Sequence, residues 1–173
     1  MIKFKNKENE YVQTVDGRKV WLSRSCAVAI TLIFKNEQNE DSVLMVKRVD
    51  NMDTEPGKYC LPCGYLDYNE SLLEAAIRET YEETGFEIDG NLLRPWYVNS
   101  DPKDDALQNV THHFGGLISY NDKPQFKEQD DEIAWVGLIP LKDLDKYDIA
   151  FNHAKRIRQF VNLLLFHINE ISS

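Results

Sequence analysis

Four glutamates, Glu70, Glu79, Glu82 and Glu83, crowd into the stretch GYLDYNESLLEAAIRETYEETGF at 64–86, with Arg78 beside them. On an α-helix, residues three and four apart are neighbours, so Glu79, Glu82 and Glu83 share one face. Like charges at that spacing cost an isolated helix about 0.2–0.5 kcal/mol per pair. A cluster of hard oxygen donors is what a divalent cation such as Mg²⁺ requires, and such a cation keeps waters and leaves room for a phosphate substrate.

The flanking residues say how the carboxylates are positioned. Leu72, Leu73, Ala76, Ile77, Thr80 and Thr84 recur at helical spacing and predict a stripe packed on a core. Asn69 or Ser71 is placed to cap the helix, with Glu70 and Glu74 in the first turn, where the helix dipole favours acid. Gly85 falls where the helix must stop, the usual place for a left-handed residue. The preceding LPCG reads as the exit from a strand, so strand, loop, acidic helix and glycine stop form one unit.

This unit resembles the Nudix box, G-x5-E-x7-R-E-U-x-E-E-x-G-U, with U a bulky aliphatic residue. Gly64, Glu70, Arg78, Glu79, Glu82, Glu83, Gly85 and Phe86 fall in register with it. Three positions depart from the pattern. Thr80 stands where the family prefers an aliphatic residue, and Phe86 is aromatic. Cys63 occupies the place of a glycine, which predicts a slightly different turn before Gly64. A solvated acidic helix face is the bland reading, but such a face gains from interspersed lysine and Arg78 is the one cation among five glutamates.

At 173 residues the chain suits one domain with a small extension. A net charge of −9 and a pI near 4.9 argue against nucleic acid and anionic membranes as partners. Nucleotides stay open, because a metal can supply local positive charge. The longest apolar run, CAVAITLIF at 26–34, is too short to span a bilayer. The N-terminus MIKFKNKENE has no apolar signal region, so the cytoplasm is the expected compartment. Of Cys26, Cys60 and Cys63, the last two form a C-x-x-C. With no second pair and no thioredoxin-like turn, these read as incidental buried thiols.

Along the chain, residues 1–24 predict an N-terminal extension or hairpin, Tyr11–Val15 against Lys19–Leu22 across Asp16-Gly17. The resemblance implies that residues 25–173 are the Nudix domain. Strands are expected at 26–34, 42–48, before Gly64, at Leu92–Asn99, Val110–Ser119 and Trp135–Gly137, with a polar turn at 35–41. PLKDL turns into a short helical piece. Phe151, Ala154, Ile157, Phe160, Val161, Leu164 and Ile168 predict an amphipathic helix over 151–168, with Lys155, Arg156 and Arg158 on its polar side. The fold class is α/β, and the resemblance implies an α/β/α sandwich around a mixed β-sheet.

The resemblance also implies an activity. Nudix proteins typically hydrolyse a pyrophosphate bond in a nucleoside diphosphate linked to another moiety, with Mg²⁺ or Mn²⁺. Glu79, Glu82, Glu83 and Glu70 are then the metal candidates, with Glu83 foremost. The catalytic candidates are Glu132, Glu83 and Arg78, the last in an outer role that holds a glutamate rotamer. Glu132 lies in the acidic run before IAWVGL and is one choice of base; Glu83, acting through a metal-bound water, is the other. Lys47, Arg48 and Gly64 are the substrate-binding candidates, and Trp21, Tyr97, Phe114 and Tyr120 are candidates to stack on a base. Of His112 and His113, one points inward. Pro95-Trp96 faintly echoes an NADH pyrophosphatase signature, and Pro102 lies near where ADP-ribose pyrophosphatases carry a proline. Both lean towards ADP-ribose, NADH or a similar small nucleotide as substrate. A silent domain that binds a nucleotide metabolite as a sensor is the alternative, and a homodimer stays open.

Overall fold

The computed structural model describes residues 9–35, 40–105, 107–119 and 124–171, with side chains described up to residue 166. Tyr120, the side chain of Ile168, residues 1–8 of the extension and 36–39 of the polar turn lie outside this set. The elements in chain order are β1 (Glu10–Gln13), β2 (Lys19–Leu22), β3 (Cys26–Lys35), β4 (Asp41–Arg48), β5 (Tyr59–Cys60), β6 (Cys63–Tyr65), α1 (Leu72–Thr84), β7 (Arg94–Asn99), β8 (Val110–Ser119), β9 (Ile133–Pro140) and α2 (His153–Ile171).

Seven strands form one mixed sheet. Its order is β5-β4-β3-β8-β7, with β6 also on β3 and β9 also on β4. β3 runs parallel to β8 over its whole length, from Cys26↔Val110 to Lys35↔Ser119, and its other pairings are antiparallel. Side chains alternate across a strand. From β3, Val28, Ile30, Leu32 and Phe34 pack with Ala75 and Ala76 of α1. Ile33 points the other way, with Val43 and Met45 of β4, to meet Ile157 and Phe160 of α2. A helix on each face of a mixed sheet is the expected α/β/α sandwich. Among the described residues, no helix is long and apolar enough to cross a membrane.

Several elements differ from the sequence reading, each for a local reason. β9 spans eight residues rather than three, because it pairs with β4 from Ser42↔Pro140 to Arg48↔Ile133. β7 starts at Arg94, since Gly90–Leu92 is a 3-10 turn capped by Asp89. α2 starts at His153, since Phe151 and Asn152 adopt left-handed φ of 55° and 59°, which no helix interior accepts. The buried stripe of α1 is Ala75, Ala76, Thr80 and Thr84, while Leu73 stays exposed. Small residues let α1 approach β3 closely, and Leu73 leans towards Gly90 at the edge.

Candidate active site

The acidic helix is built as its sequence requires. Ser71 is its cap, in a capping box where the Ser71 hydroxyl accepts from Glu74 N–H and Glu74 accepts from Ser71 N–H. Gly85 ends it at φ 70°.

Arg78 is the hub of the carboxylates. Its Nε and Nη2 donate to the two oxygens of Glu70 at 3.0 and 2.7 Å, a bidentate pair. Nη1 donates to Glu79 at 2.7 Å and to Glu82 at 2.9 Å, and Nη2 also donates to the Tyr65 carbonyl at 3.0 Å. Arg78, with the Asp67 N–H, holds the Glu70 carboxyl down at about 2. Glu79 is pushed up by burial against the opposing pull of Arg78. Glu83 stands apart from the guanidinium: its carboxylate accepts from Cys63 N–H at 3.0 Å, and burial pushes it well above the ordinary range.

Gly64 is required by close approach. A Cβ there would fall on the Glu79 carboxylate, a group at the end of a movable side chain. Gly64→Ala is therefore expected to displace Glu79 with little loss of fold. Activity should fall about a hundredfold while the melting temperature moves by less than about 3 °C. A variant with near-normal turnover would show that Glu79 is not needed where it stands.

Glu79, Glu82 and Glu83 line a cleft of about 370 Å³, faced by Lys127, Asp130 and Glu132. The opposing segment is held by non-local contacts. Phe126 packs edge-on to Phe34, and Lys127 N–H donates to the Thr84 carbonyl at 2.9 Å. The Lys127 ammonium reaches the Glu82 carbonyl and Asp130, whose carboxylate accepts from Glu132 N–H at 2.9 Å and Ile133 N–H at 2.7 Å. Lys127 thereby places Glu132 opposite the helix. It is the lone cation in the run Phe126–Glu132, a sequence signal that its place in an acidic run hid.

A second cavity, a groove of about 660 Å³, opens on the far side of Cys63 and Gly64. Arg48 lies in its wall, 9% exposed, with Nε donating to the Thr54 carbonyl at 3.1 Å and the guanidinium 5.3 Å from the Phe151 ring. It has no carboxylate partner among the described residues and is close enough to Glu83 to favour that group's charged form. Lys47, on the next position of β4, points elsewhere: its ammonium lies 5.8 Å from the Tyr59 ring and lines neither cavity. Alternation along β4 separates the two basic residues, so the structure brings only Arg48 to the site.

Three groove residues escaped the sequence reading. Arg156, on the supposed polar side of α2, is 2% exposed; it donates to Asp104 at 2.8 Å and stacks over Tyr97 at 4.4 Å. That contact also occupies Tyr97. His153 Nδ1 accepts from Leu61 N–H at 3.0 Å, which makes the neutral ring carry its proton on Nε2. Asn99 is buried at the groove end of β7. Of the other stacking candidates, Phe114 is a core residue and Trp21 lies on the hairpin. His113 is the inward histidine, with His112 half-exposed beside it. The thiols of Cys60 and Cys63 are free.

Burial lowers His113 to about 4 and His153 to about 3, with Arg156 reinforcing both. Their unfolded values lie near 6.5, so below that pH the unfolded chain binds more protons and folding weakens. Stability should fall by up to about 1.4 kcal/mol per pH unit per histidine between about pH 6.5 and pH 4. Denaturant unfolding at stepped pH should show this limb, and His153→Asn, which retains an acceptor for Leu61 N–H, should shallow it. An unchanged slope in the variant would exclude His153 as its source.

A family model described as NUDIX domain matches residues 26–160. The chain belongs to the Nudix family. Among curated relatives it is similar to Nudix hydrolase 3 of Caenorhabditis elegans, 29% identical over 121 residues, covering 69% of this chain and 50% of that protein. The chain therefore spans about half the length of that relative. It is also similar to the nucleoside triphosphatase NudI of Enterobacter sp. (strain 638), 26% identical over 66% of this chain and 86% of the relative. Among solved structures, the Nudix domain of Shewanella oneidensis NrtR complexed with ADP ribose aligns with TM-score 0.73 and 25% identity, over 83% of this chain and 90% of that one. A bifunctional NMN adenylyltransferase/ADP ribose pyrophosphatase from Francisella tularensis, complexed with AMP and a Mn ion, shares the fold at TM-score 0.67 and 21% identity, over 84% of this chain and 42% of that one.

The Nudix box carries its metal-type donors in kind. Six carboxylates face one lysine across the acidic cleft, hard oxygen ligands of the sort Mg²⁺ and Mn²⁺ take. As the side chains stand, Arg78 draws off Glu70, Glu79 and Glu82, and among the described residues no three metal-binding side chains are gathered on one point.

Proposed function

We propose that this Nudix pyrophosphohydrolase cleaves a pyrophosphate bond in a nucleoside diphosphate linked to another moiety, with ADP-ribose or NADH the leading candidates. The observation that carries the reading is the adjacency of two unlike cavities. Gly64 lines the groove, while the carboxylate packed against its α-carbon, Glu79, lines the acidic cleft. A substrate phosphate in the groove would thus lie one glycine away from the carboxylates.

Glu79, Glu82 and Glu83, with Glu70 in support, would hold Mg²⁺ or Mn²⁺. A bound divalent cation supplies charge neutralisation at the pyrophosphate and lowers the pKa of water. The chain's own residues do the rest. Arg48 meets the diphosphate, the backbone at Gly64 lets it approach, and Glu132 takes a proton from the attacking water across the cleft. Arg78 holds the glutamate rotamers.

Charge favours a diphosphate over a triphosphate. Lys58 is paired to Glu55 at 2.7 Å and Arg156 to Asp104 at 2.8 Å, which leaves Arg48 as the groove cation without a carboxylate among the described residues. The ADP-ribose complex of the Shewanella domain supports this reading. The NudI relatives favour nucleoside triphosphates as the competitor.

The test is phosphate release, through a coupled phosphatase, from ADP-ribose, NADH, diadenosine polyphosphates, UDP-sugars and the (d)NTPs with Mg²⁺ or Mn²⁺. Metal-dependent turnover of the diphosphate-linked class supports the reading, and preference for triphosphates overturns the substrate. Glu132→Gln should cost about 10²–10⁴-fold in kcat if Glu132 is the base. No turnover, with thermal stabilisation by one nucleotide, would instead make the domain a sensor.

A further inference from the structure

We infer that the inner end of the groove is a subsite for an uncharged sugar, read by His113, Thr111 and Asn99 on the floor of the sheet. This rests on the reading of the site as one that cleaves a diphosphate-linked nucleotide, and it narrows what the diphosphate is linked to. The floor is built by alternation. Ala27 and Ala29 of β3 stand in register with Thr111 and His113 of β8, and Asn99 of β7 stands opposite Thr111. On the other side of β3, the same two alanines pair with Tyr65 and Cys63 of β6. All of these residues line the groove. The alanines leave a trough between strands that carry larger side chains. It closes where α2 crosses the sheet: two positions beyond His113, a Cβ on Gly115 would fall on the Phe160 ring.

A polar atom on this floor has no partner. His113 is 3% exposed, and its Nδ1 is buried without a hydrogen bond among the described residues. Such an atom destabilises the bare protein, and a hydrogen bond from a ligand recovers that cost. Buried Asn99 and half-buried Thr111 add an amide and a hydroxyl to the same face.

Charge separates the two ends of the groove. Arg48 and Gly64 stand on the β6 side, where the diphosphate is placed. At the inner end Arg156 is already matched, by Asp104 at 2.8 Å and Gln159 at 2.9 Å. Burial keeps His113 neutral above about pH 4, so it does not answer a phosphate either. Stacking surface is also confined to the charged end. The Phe and Tyr rings lining the groove, among the described residues, are Tyr65 next to Gly64 and Phe151 against the Arg48 guanidinium. A nucleobase calls for such a ring. A sugar instead brings hydroxyls that both donate and accept, which suit an amide, a hydroxyl and a neutral imidazole. Thr111 lies two strands from Gly64, about 10 Å away at ordinary strand spacing, within reach of a sugar attached to a phosphate held there. The linked moiety is therefore a sugar with free hydroxyls rather than a second nucleoside, which favours ADP-ribose over NADH.

Steady-state phosphate release from ADP-ribose and NADH with Mg²⁺ tests this, beside calorimetric binding of ADP, which carries a diphosphate but no second sugar. The parent should show kcat/KM for ADP-ribose at least about tenfold above that for NADH. Thr111→Val and His113→Phe should each raise KM for ADP-ribose about tenfold, the loss of one hydrogen bond, and move the dissociation constant of ADP less than about twofold. Circular dichroism checks the fold of the buried His113 variant, while Thr111→Val keeps the shape of a half-buried strand residue and reads the subsite independently. An unmoved KM, equal losses for ADP and ADP-ribose, or a preference for NADH overturns the subsite and leaves the hydrolase standing. No turnover of any diphosphate-linked substrate overturns the reading beneath it, and the subsite with it.

Discussion

Replacing Glu83 by glutamine is expected to lower kcat by about a thousandfold, or about 4 kcal/mol of barrier, without lowering stability. Glutamine keeps the shape and an oxygen to accept from Cys63 N–H, so the contact at 3.0 Å survives. What is lost is the negative charge. Glu83 is half-buried and is held by a single backbone donor rather than by Arg78, so its charge is poorly compensated in the bare protein. Such a group weakens folding and strengthens cation binding. The variant should therefore melt at the same temperature as the parent or slightly above it. Steady-state kinetics at saturating Mg²⁺ with the best substrate, paired with a melt, reads both effects. A kcat within tenfold of the parent would remove Glu83 from the site.

Arg78→Gln should show the opposite pattern, with a large loss of stability that metal repairs. Arg78 is 26% exposed in its side chain and contacts Glu70, Glu79 and Glu82 together. Without it, Glu79 is left half-buried and unpaired, at a cost of about 1–3 kcal/mol. For a chain of this size that is a fall of about 3–10 °C in melting temperature. On the proposed metal site, a divalent cation would compensate the same carboxylates as the guanidinium, so Mg²⁺ should raise the melting temperature of the variant more than that of the parent. Activity should still fall about 10–100-fold, since nothing then holds the rotamers of Glu70 and Glu79. Equal metal-induced shifts in the two proteins would refute the shared-carboxylate account.

The acidic helix was legible because its information is local. Carboxylates at helical spacing, a capping serine and a stopping glycine are all read within one stretch, and the helix forms there with the expected ends. The continuous apolar run at 26–34 likewise marked the central strand, which is buried on both faces. What the sequence hid depends on distant partners. Lys127 meets Glu82 from 45 positions away, and Arg156 reaches Asp104 across 52, so neither contact leaves a periodic trace. Lys47 and Arg48 look equivalent on paper and part only when β4 is paired and one face is assigned. The delayed start of α2 is set by two left-handed residues, Phe151 and Asn152, neither of them glycine.

Cys63 holds Glu83 through its backbone N–H, so the bond that sets this half-buried carboxylate does not depend on which side chain occupies position 63. Any residue except proline supplies that donor. The contact stays constant when the residue changes, which is how a cysteine can stand where the box's usual neighbour is glycine, and the packing of Cys63 against Val46 and Cys60 limits the side chain to small ones. A saturation library at 63 should retain function with small side chains such as glycine, alanine and serine and fail sharply at proline, whereas at 64, one step along the chain, the tolerance should collapse to glycine.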